Sequence, residues 1–236
     1  MLFDRKNFLN RFPISFLIFF GTTLVLNFGI FSDPNERSYY EFSALVKNNT
    51  TYPFRAPKVE ILTSASKYFA ILGGTERIPY SVFGESLVFS KENGDIAVIL
   101  TNKNLLAIGT NSSNWVREPL YGDYSIKVQT GTRMAFVRTN KKYFYFSANR
   151  DSWAKSSLDN ETILAMDSLE SLGVIITDKK IRSFLESEEL PYEMNLINLR
   201  ISSFTIFLDK IVFETTANKS IIFNATKKEY TIFSMN

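Results

Sequence analysis

The sequence predicts an all-β fold of about five four-stranded units, each 38 residues long, after an N-terminal transmembrane helix. Apolar residues make up 45% of the 236 residues, and Phe and Tyr are abundant, as is typical of packed sheets. One threonine recurs five times at a spacing of 38 residues: Thr63, Thr101, Thr139, Thr177 and Thr215. A fixed period of 20 to 50 residues indicates one supersecondary unit that is copied and stacked.

The N-terminal segment is predicted to be a membrane anchor. Residues 13–31 carry no charge, and a helix of that length just crosses a hydrocarbon core of about 30 Å. Arg5, Lys6 and Arg11 precede the run, so the N-terminus is expected in the cytoplasm and the rest of the chain outside it, in a periplasmic or extracellular space. A cleaved signal peptide is the alternative, but the run is long and no small-residue cleavage site follows.

The predicted organisation therefore has four parts. Residues 1–12 form a cytoplasmic stub, 13–31 a transmembrane signal anchor and 32–45 a tether that begins with the helix-breaking Asp33-Pro34. Residues 46–236 form the repeat domain. Little of the net charge of +3 lies in that domain, because the first twelve residues hold three cations and one anion.

Each repeat contains four short apolar runs separated by polar turns, which predicts four antiparallel strands. In the second repeat the turn between the first two runs contains Asn93-Gly94, a strong hairpin signal. The runs are too short for helical hairpins. The predicted strands of the second to fifth repeats are 86–91, 96–101, 104–109, 115–120, 124–129, 133–139, 142–147, 152–158, 162–167, 172–177, 180–185, 191–196, 199–203, 207–215, 220–224 and 229–234.

The first repeat is degenerate. Pro57–Thr63, Lys67–Leu72 and Pro79–Phe83 are predicted strands, and an innermost strand is expected somewhere within Val46–Arg55. Four strands per unit of about 40 residues resembles the blade pattern of β-propellers. The resemblance covers residues 46–236 and concerns period and strand count alone. A two-sheet sandwich or an open meander is the alternative fold, but neither requires a constant register.

Two columns of the repeat are interpreted as structural. Each threonine ends a second strand, where its hydroxyl can bond backbone groups of the following turn. Trp115 and Trp153, followed with a drift of one residue by Tyr192 and Tyr230, open the fourth strands. These rings are predicted to pack on the neighbouring blade, with an exposed aromatic surface for sugar or peptide as the alternative.

The turns between the second and third strands suggest a binding surface. They are rich in lysine, and in a propeller they all emerge on one side. The predicted basic ring consists of Lys67, Lys103, Lys141, Lys142, Lys179, Lys180 and Lys219. Such a ring can attract an anionic partner, a lipid surface or an acidic protein. The simpler interpretation is that these lysines only make soluble turns and protect strand ends.

Composition argues against several kinds of chemistry. The chain contains neither Cys nor His, so thiolate sites, disulfides and histidine bases are excluded, and no catalytic residue, metal ligand or cofactor is predicted. A nearly neutral repeat domain lacks the basic surface of a nucleic-acid binder. Glu186, Glu188 and Glu189 share a turn but lack the spacing of a calcium loop, and they are interpreted as solvated charges.

These observations favour a membrane-tethered, extracytoplasmic, non-catalytic scaffold for protein interaction or assembly, acting through the basic ring. A carbohydrate-binding or carbohydrate-active propeller is the first alternative. A glycosidase would need two carboxylates facing a cleft, and the candidates are Asp123, Asp159, Asp167 and Asp209. A co-receptor-type sensory ectodomain is the second alternative.

Overall fold

A computed structural model describes residues 46–53, 56–64, 66–150 and 152–234. These residues form twenty β-strands. The predicted stub, signal anchor and tether lie outside the described residues. Within the described ranges, no helix is long and apolar enough to cross a membrane.

The strands follow one another along the chain with short turns, and the observed bounds agree closely with the predicted runs. They are β1 (Lys47–Asn48), β2 (Val59–Thr63), β3 (Lys67–Leu72), β4 (Glu76–Ser81), β5 (Leu87–Asn93), β6 (Ile96–Thr101), β7 (Asn104–Gly109), β8 (Val116–Pro119), β9 (Ser125–Thr130), β10 (Met134–Thr139), β11 (Lys142–Ser147), β12 (Ala154–Ser157), β13 (Ile163–Leu169), β14 (Leu172–Thr177), β15 (Lys180–Leu185), β16 (Tyr192–Asn195), β17 (Ile201–Ile206), β18 (Lys210–Thr215), β19 (Lys219–Asn224) and β20 (Glu229–Ser234).

The strands form five sheets that correspond to the five repeats. Sheet one contains β2 to β4, sheet two β5 to β8, sheet three β9 to β12, sheet four β13 to β16, and sheet five β17 to β20 with β1 added at its edge. Within each repeat, consecutive strands pair antiparallel. The prediction of an all-β repeat fold is confirmed, and sheets two, three and four are four-stranded as expected.

The first repeat departs from the prediction. The innermost strand that was expected within Val46–Arg55 does not join sheet one among the described residues, which leaves that sheet with three strands. β1 instead pairs parallel with β17, where Lys47 lies opposite Ser203 and Asn48 opposite Phe204. The prediction was wrong because a two-residue parallel pairing to the last repeat leaves no periodic signal in the sequence.

Successive sheets are related by the 38-residue step. Several hydrogen bonds between sheets join residues that are one period apart: Asn111 to Asn149, Gln129 to Asp167, and Tyr230 to Tyr192. Backbone groups also join neighbouring sheets, because the amide of Asp95 in sheet two donates to the carbonyl of Thr132 in sheet three at 2.7 Å. Each repeat therefore contacts the next through equivalent positions, as expected of propeller blades.

The hydrophobic core is divided among the junctions between neighbouring sheets. Separate clusters join sheets one and two, two and three, three and four, and four and five. All residues of β6, β7, β10 and β14 are buried, because these strands are covered on both faces. No cluster of the described residues joins sheet five to sheet one.

The described residues cover only one face of sheet five. Burial alternates along β18, where Ile211 and Phe213 are buried against sheet four while Val212 and Glu214 are half-buried on the other face. A period of two is expected of a strand whose sheet has one open face. Sheet one shows the same asymmetry, since Leu62 is 47% exposed on the face away from sheet two.

The threonine column has the structural role that was predicted for it. In the β10–β11 turn the hydroxyl of Thr139 donates to the carbonyl of Lys142 at 3.1 Å and accepts from the amide of Lys142 at 3.0 Å. Thr101 and Thr177 make the same two bonds in their own turns. In the first repeat Ser64 takes this role instead of Thr63.

The aromatic column also packs against neighbouring sheets. The indole of Trp115 donates to the carbonyl of Ile78 in sheet one at 3.0 Å, and Trp153 is buried in the cluster between sheets two and three. Tyr230 donates to the carbonyl of Tyr192 at 2.9 Å. These contacts favour the prediction that the rings stabilise the junctions between sheets.

Candidate functional site

The predicted lysines lie at the turns between the second and third strands of their sheets. Because the strands of each sheet alternate in direction and the sheets stack in the same orientation, these turns share one side of the domain, here called the basic face. The described part of the chain divides the lysines into two groups. Lys141, Lys142 and Lys180 form ion pairs, and no ion pair involves Lys67, Lys103, Lys179 or Lys219.

The ion pairs neutralise part of the basic face at sheets three and four. Asp123 is buried and lies 3.1 Å from the ammonium of Lys141 and 3.6 Å from that of Lys142. Lys180 lies 2.8 Å from Glu193, and this contact raises the pKa of the lysine. The uncompensated positive charge is therefore provided by Lys103, Lys179 and Lys219, with Lys67 in the first sheet.

A column of acidic residues on the same side was missed by the sequence analysis. Glu85, Asp123 and Glu161 are spaced by 38 residues, each in the connection that leads into a new sheet. The threonine of the same sheet donates to the carboxylate in two cases, from Thr101 to Glu85 at 2.7 Å and from Thr177 to Glu161 at 2.8 Å. The period that revealed the threonines would have revealed this column.

The acidic column is most elaborate in sheet four. The guanidinium of Arg182, which is 4% exposed, forms hydrogen bonds of 2.6 and 2.8 Å to the two carboxylate oxygens of Glu161 and one of 2.8 Å to Glu193. Burial opposes ionisation of Glu161, but the bonds from Arg182 and Thr177 outweigh it and hold the pKa of Glu161 below its ordinary value. This bidentate pair fixes the connection between sheets three and four.

A short N-terminal segment, residues 46–53, runs along the inner edges of sheets five and four and is here called the strap. Val46 is buried in the cluster between those sheets, and the Thr50 hydroxyl accepts from the amide of Ile206 at 2.9 Å. The side chains of Asn48 and Tyr52 both donate to the carboxylate of Asp167 in β13. The strap is thus attached to the innermost strands of two sheets.

Asp167 is the acceptor at the centre of this arrangement. Besides the two strap residues, the amide of Gln129 donates to it at 3.0 Å from β9, and the backbone amide of Ser168 at 2.7 Å. The carboxylate is buried, and the burial of the Tyr52 phenol, together with its bond to this carboxylate, raises the pKa of Tyr52. A carboxylate with four donors is a structural acceptor that joins sheets three, four and five through the strap.

The other carboxylates that were considered for glycosidase chemistry do not accompany Asp167 in an innermost strand. Asp123 is paired with lysines on the basic face, and Asp159 and Asp209 are exposed in turns. Ser157 donates to Asp159 at 2.6 Å, which is a local turn contact. The structure therefore places these four candidates at separate positions.

In the acidic turn of sheet four, Glu186 and Glu188 are not the solvated charges that the sequence analysis predicted. Glu186 is buried and accepts from Arg133 of sheet three at 2.9 Å, and burial raises the pKa of Glu186 even though Arg133 opposes the change. Glu188 pairs with Lys228 of sheet five at 2.5 Å. The turn bridges three successive sheets. In the described ranges, no group of three or more acidic residues is arranged to hold a metal ion.

A shallow cleft lies between the outermost strands of sheets two and three. It has a volume of about 350 Å³, and Trp115, Arg117, Glu118 and Trp153 are among its lining residues. Lys155 reaches across it to Glu118 at 2.6 Å. The ion pair and the packing of both indoles indicate that this cleft is part of the junction between the sheets.

Comparison with known proteins finds solved structures with some structural similarity to this chain, but no protein related to it in sequence. No protein-family model matches the chain, and no curated protein matches it in sequence. Solved structures with some similarity include human WBSCR16 (10% identity, TM-score 0.40, 71% of this chain and 59% of the other) and BamB from Moraxella catarrhalis (13%, 0.39, 78% and 60%). A third is Prp20p from Saccharomyces cerevisiae (11%, 0.39, 67% and 54%), which was studied for its binding to Gsp1p and histones.

The chain thus spans little more than half the length of each of these structures. The class of the protein rests on its own sheets, which define an all-β repeat protein of five sheets with a period of about 38 residues.

Proposed function

We propose that the protein is a non-catalytic scaffold that binds an acidic protein partner through its basic face and is held at a membrane by residues 13–31. The observation that carries this proposal is the set of turn lysines without carboxylate partners. Lys103 of sheet two and Lys179 of sheet four are exposed on the basic face, and Lys219 of sheet five lies on the same face. Unpaired charges on a rigid support attract an oppositely charged surface.

The rigidity of the support favours a binding role. Sheets two to four have central strands buried on both faces, and the turns that carry the lysines are closed by threonine hydroxyl bonds. Loops that are fixed in this way lose little conformational entropy when a partner binds. The engagement of Asp167 by four donors and of Asp123 by two lysines supports a role without catalysis.

The proposal is tested by reversing the unpaired lysines. The variant Lys103→Glu/Lys179→Glu is compared with the wild-type chain by quantitative photo-crosslinking in intact cells, followed by identification of the crosslinked protein. We expect the yield of the specific adduct to fall several-fold, since rim charges act mainly on the rate of association. The free energy of unfolding should change by no more than about 0.5 kcal/mol, because both side chains are exposed.

A matched control changes the same number of charges elsewhere. Lys91→Glu/Lys227→Glu reverses two exposed lysines that lie outside the basic face, in β5 and in the β19–β20 turn. Equal loss in both variants would indicate a dependence on net charge alone and would contradict a localised surface. Loss of binding to anionic vesicles without loss of any protein adduct would point to lipid as the ligand.

The membrane location is tested separately. Carbonate extraction should leave the full chain in the membrane pellet, and an added protease should reach the repeat domain only from the extracytoplasmic side. Digestion from the cytoplasmic side would contradict the proposed topology.

A further inference from the structure

The connections between sheets carry a column of exposed apolar side chains, here called the apolar tips. They are Phe83, Tyr121 and Ile197, which are 94%, 85% and 77% exposed. They are separated by one and by two 38-residue periods, and each lies where the chain leaves an outermost strand for the next sheet. Single exposed apolar residues are common on protein surfaces, but recurrence at one position of the repeat requires an explanation.

The apolar tips lie on the basic face. Because the strands of each sheet alternate in direction, the connection after the fourth strand emerges on the same side as the turn between the second and third strands. The amide of Leu120 donates to the carbonyl of Lys103 at 2.8 Å, and that of Leu196 to the carbonyl of Lys179 at 2.7 Å. An apolar tip directly follows each of these leucines, so it is a neighbour of a lysine turn.

Lys103 also approaches the first apolar tip. Gly84 follows Phe83 in the chain, and a Cβ atom at Gly84 would lie 3.3 Å from the ammonium nitrogen of Lys103. Apolar side chains therefore alternate on the basic face with lysines that have no ion pair among the described residues. Such a surface complements a protein surface on which apolar pockets lie beside carboxylates.

The backbone of Tyr121 indicates that its ring is used for binding. Tyr121 has φ of +49°, and Gly122 follows with φ of +83°. The left-handed region suits glycine and asparagine and is unfavourable for a large side chain. Burial in the fold does not compensate, because the ring is 85% exposed. Backbone outliers of this kind cluster at functional sites.

The remaining member of the column favours a protein over a lipid surface. Asp159 lies one period after Tyr121 and one before Ile197, and it is exposed in the equivalent connection. An anionic bilayer presents similar head groups everywhere and would bring this carboxylate among like charges. A protein surface can present a different group opposite each connection.

We infer that Phe83, Tyr121 and Ile197 are the apolar anchors through which the basic face holds its protein partner. The partner has apolar pockets beside carboxylates, which receive the apolar tips and the neighbouring lysines. The lysines govern the rate of encounter, and the apolar tips govern how long the complex persists. The inference rests on the proposed function in assigning an acidic protein to this face, and it adds the apolar part of the contact.

A photoreactive side chain in the full-length protein tests the position of the contact. Benzoylphenylalanine replaces Phe83 or, as a matched control, Leu190, which is 77% exposed in the β15–β16 turn on the opposite side. Intact cells are irradiated, and the adducts are identified by mass spectrometry. We expect residue 83 to give a protein adduct whose crosslinked peptide contains apolar and acidic residues, and residue 190 not to give it. The same adduct from both positions would overturn the inference.

Substitution of the other two apolar tips tests their contribution. With the photoreactive group at residue 83, Tyr121→Asn/Ile197→Ser should lower the yield of the adduct about tenfold, because two anchors are removed. The control Leu190→Ser/Leu208→Ser removes two side chains that are 77% and 70% exposed in turns on the opposite side. Its yield should stay within about twofold of the parent, and equal losses would contradict the inference.

The Tyr121→Asn variant separates binding from folding. Asparagine adopts the left-handed region more readily than tyrosine, so the melting temperature of this variant should equal or exceed that of the parent chain. A lower melting temperature would show that the ring supports the fold, and would contradict its role as an anchor.

The outcomes distinguish this inference from the proposed function. If Lys103→Glu/Lys179→Glu lowers the adduct yield and Tyr121→Asn/Ile197→Ser does not, the anchors are wrong and the proposed function stands. The reverse result would contradict the acidic partner and retain the anchors. An adduct of residue 83 with lipid, or with a second copy of this chain, would overturn the inference.

Discussion

The close approach of sheets two and three at Gly109 gives a direct test of how the repeats stack. Gly109 ends β7, and a Cβ atom at this residue would lie 2.5 Å from the carbonyl oxygen of Ala148 and 2.9 Å from its Cα. Ordinary contacts of a Cβ atom begin near 3.4 Å. In Gly109→Ala the two backbones would therefore have to separate by almost 1 Å.

The expected cost follows from the burial of both partners. Ala148 is 2% exposed and belongs to the cluster between sheets two and three, so its backbone cannot move into solvent. Overpacking of a well-packed core costs about 1–3 kcal/mol. For a domain of this size each kcal/mol lowers the melting temperature by about 2–4 °C, so we expect a decrease of about 2–12 °C.

The assay is thermal and urea unfolding of the purified chain, monitored by circular dichroism. Ala148→Gly should not rescue the variant, because the clash involves backbone atoms that glycine also has. Gly74→Ala serves as a control for backbone strain, since Gly74 has φ of +78° and no neighbour within 4 Å of its Cβ position. An unchanged melting temperature for Gly109→Ala would refute the stacking of these two sheets.

Three further predictions concern the turns and ion pairs. Arg182→Met should reduce the free energy of unfolding by about 3–5 kcal/mol in urea titrations, because it leaves the buried carboxylate of Glu161 uncompensated; an unaltered midpoint would contradict the role of the pair. The folded-state pKa values of Glu85 and Glu161 lie below the ordinary 4.5. The ionised side chains therefore stabilise the folded state above pH 4.5, and this stabilisation is lost as the pH falls through the lowered values. Unfolding midpoints measured against pH should show this loss, and Glu161→Gln should flatten it. Thr139→Val should cost about 1 kcal/mol through its lost turn bonds and Thr139→Ser much less, and equal effects would argue against those bonds.

The repeat and most strand positions could be predicted from the sequence because they depend on local and periodic signals. The bounds of β6, β7, β14 and β15 coincide with the predicted runs, since apolar strands and polar turns alternate there without interruption. The same regularity predicted the threonine bonds and the packing of Trp115 and Tyr230 on neighbouring sheets.

The position of the strap could not be predicted in this way. Asn48 meets Asp167 across 119 residues, and Thr50 meets Ile206 across 156, and neither separation is a multiple of the period. Pairing over such distances is selected by the packing of the finished sheets. The partial neutralisation of the basic ring could not be predicted from the turns alone, because its partners Asp123 and Glu193 lie in other segments of the chain.

The central claim is that equivalent positions of successive repeats meet across neighbouring sheets. The chain contains no cysteine, so Asn111→Cys/Asn149→Cys provides two unique thiols at side chains that are hydrogen-bonded at 3.3 Å. A short bis-maleimide reagent should join them rapidly within one chain. Asn111→Cys/Asn140→Cys places the second thiol at the opposite end of sheet three and should not be joined. Equal reaction of both pairs, or of neither, would contradict the stacking of these repeats.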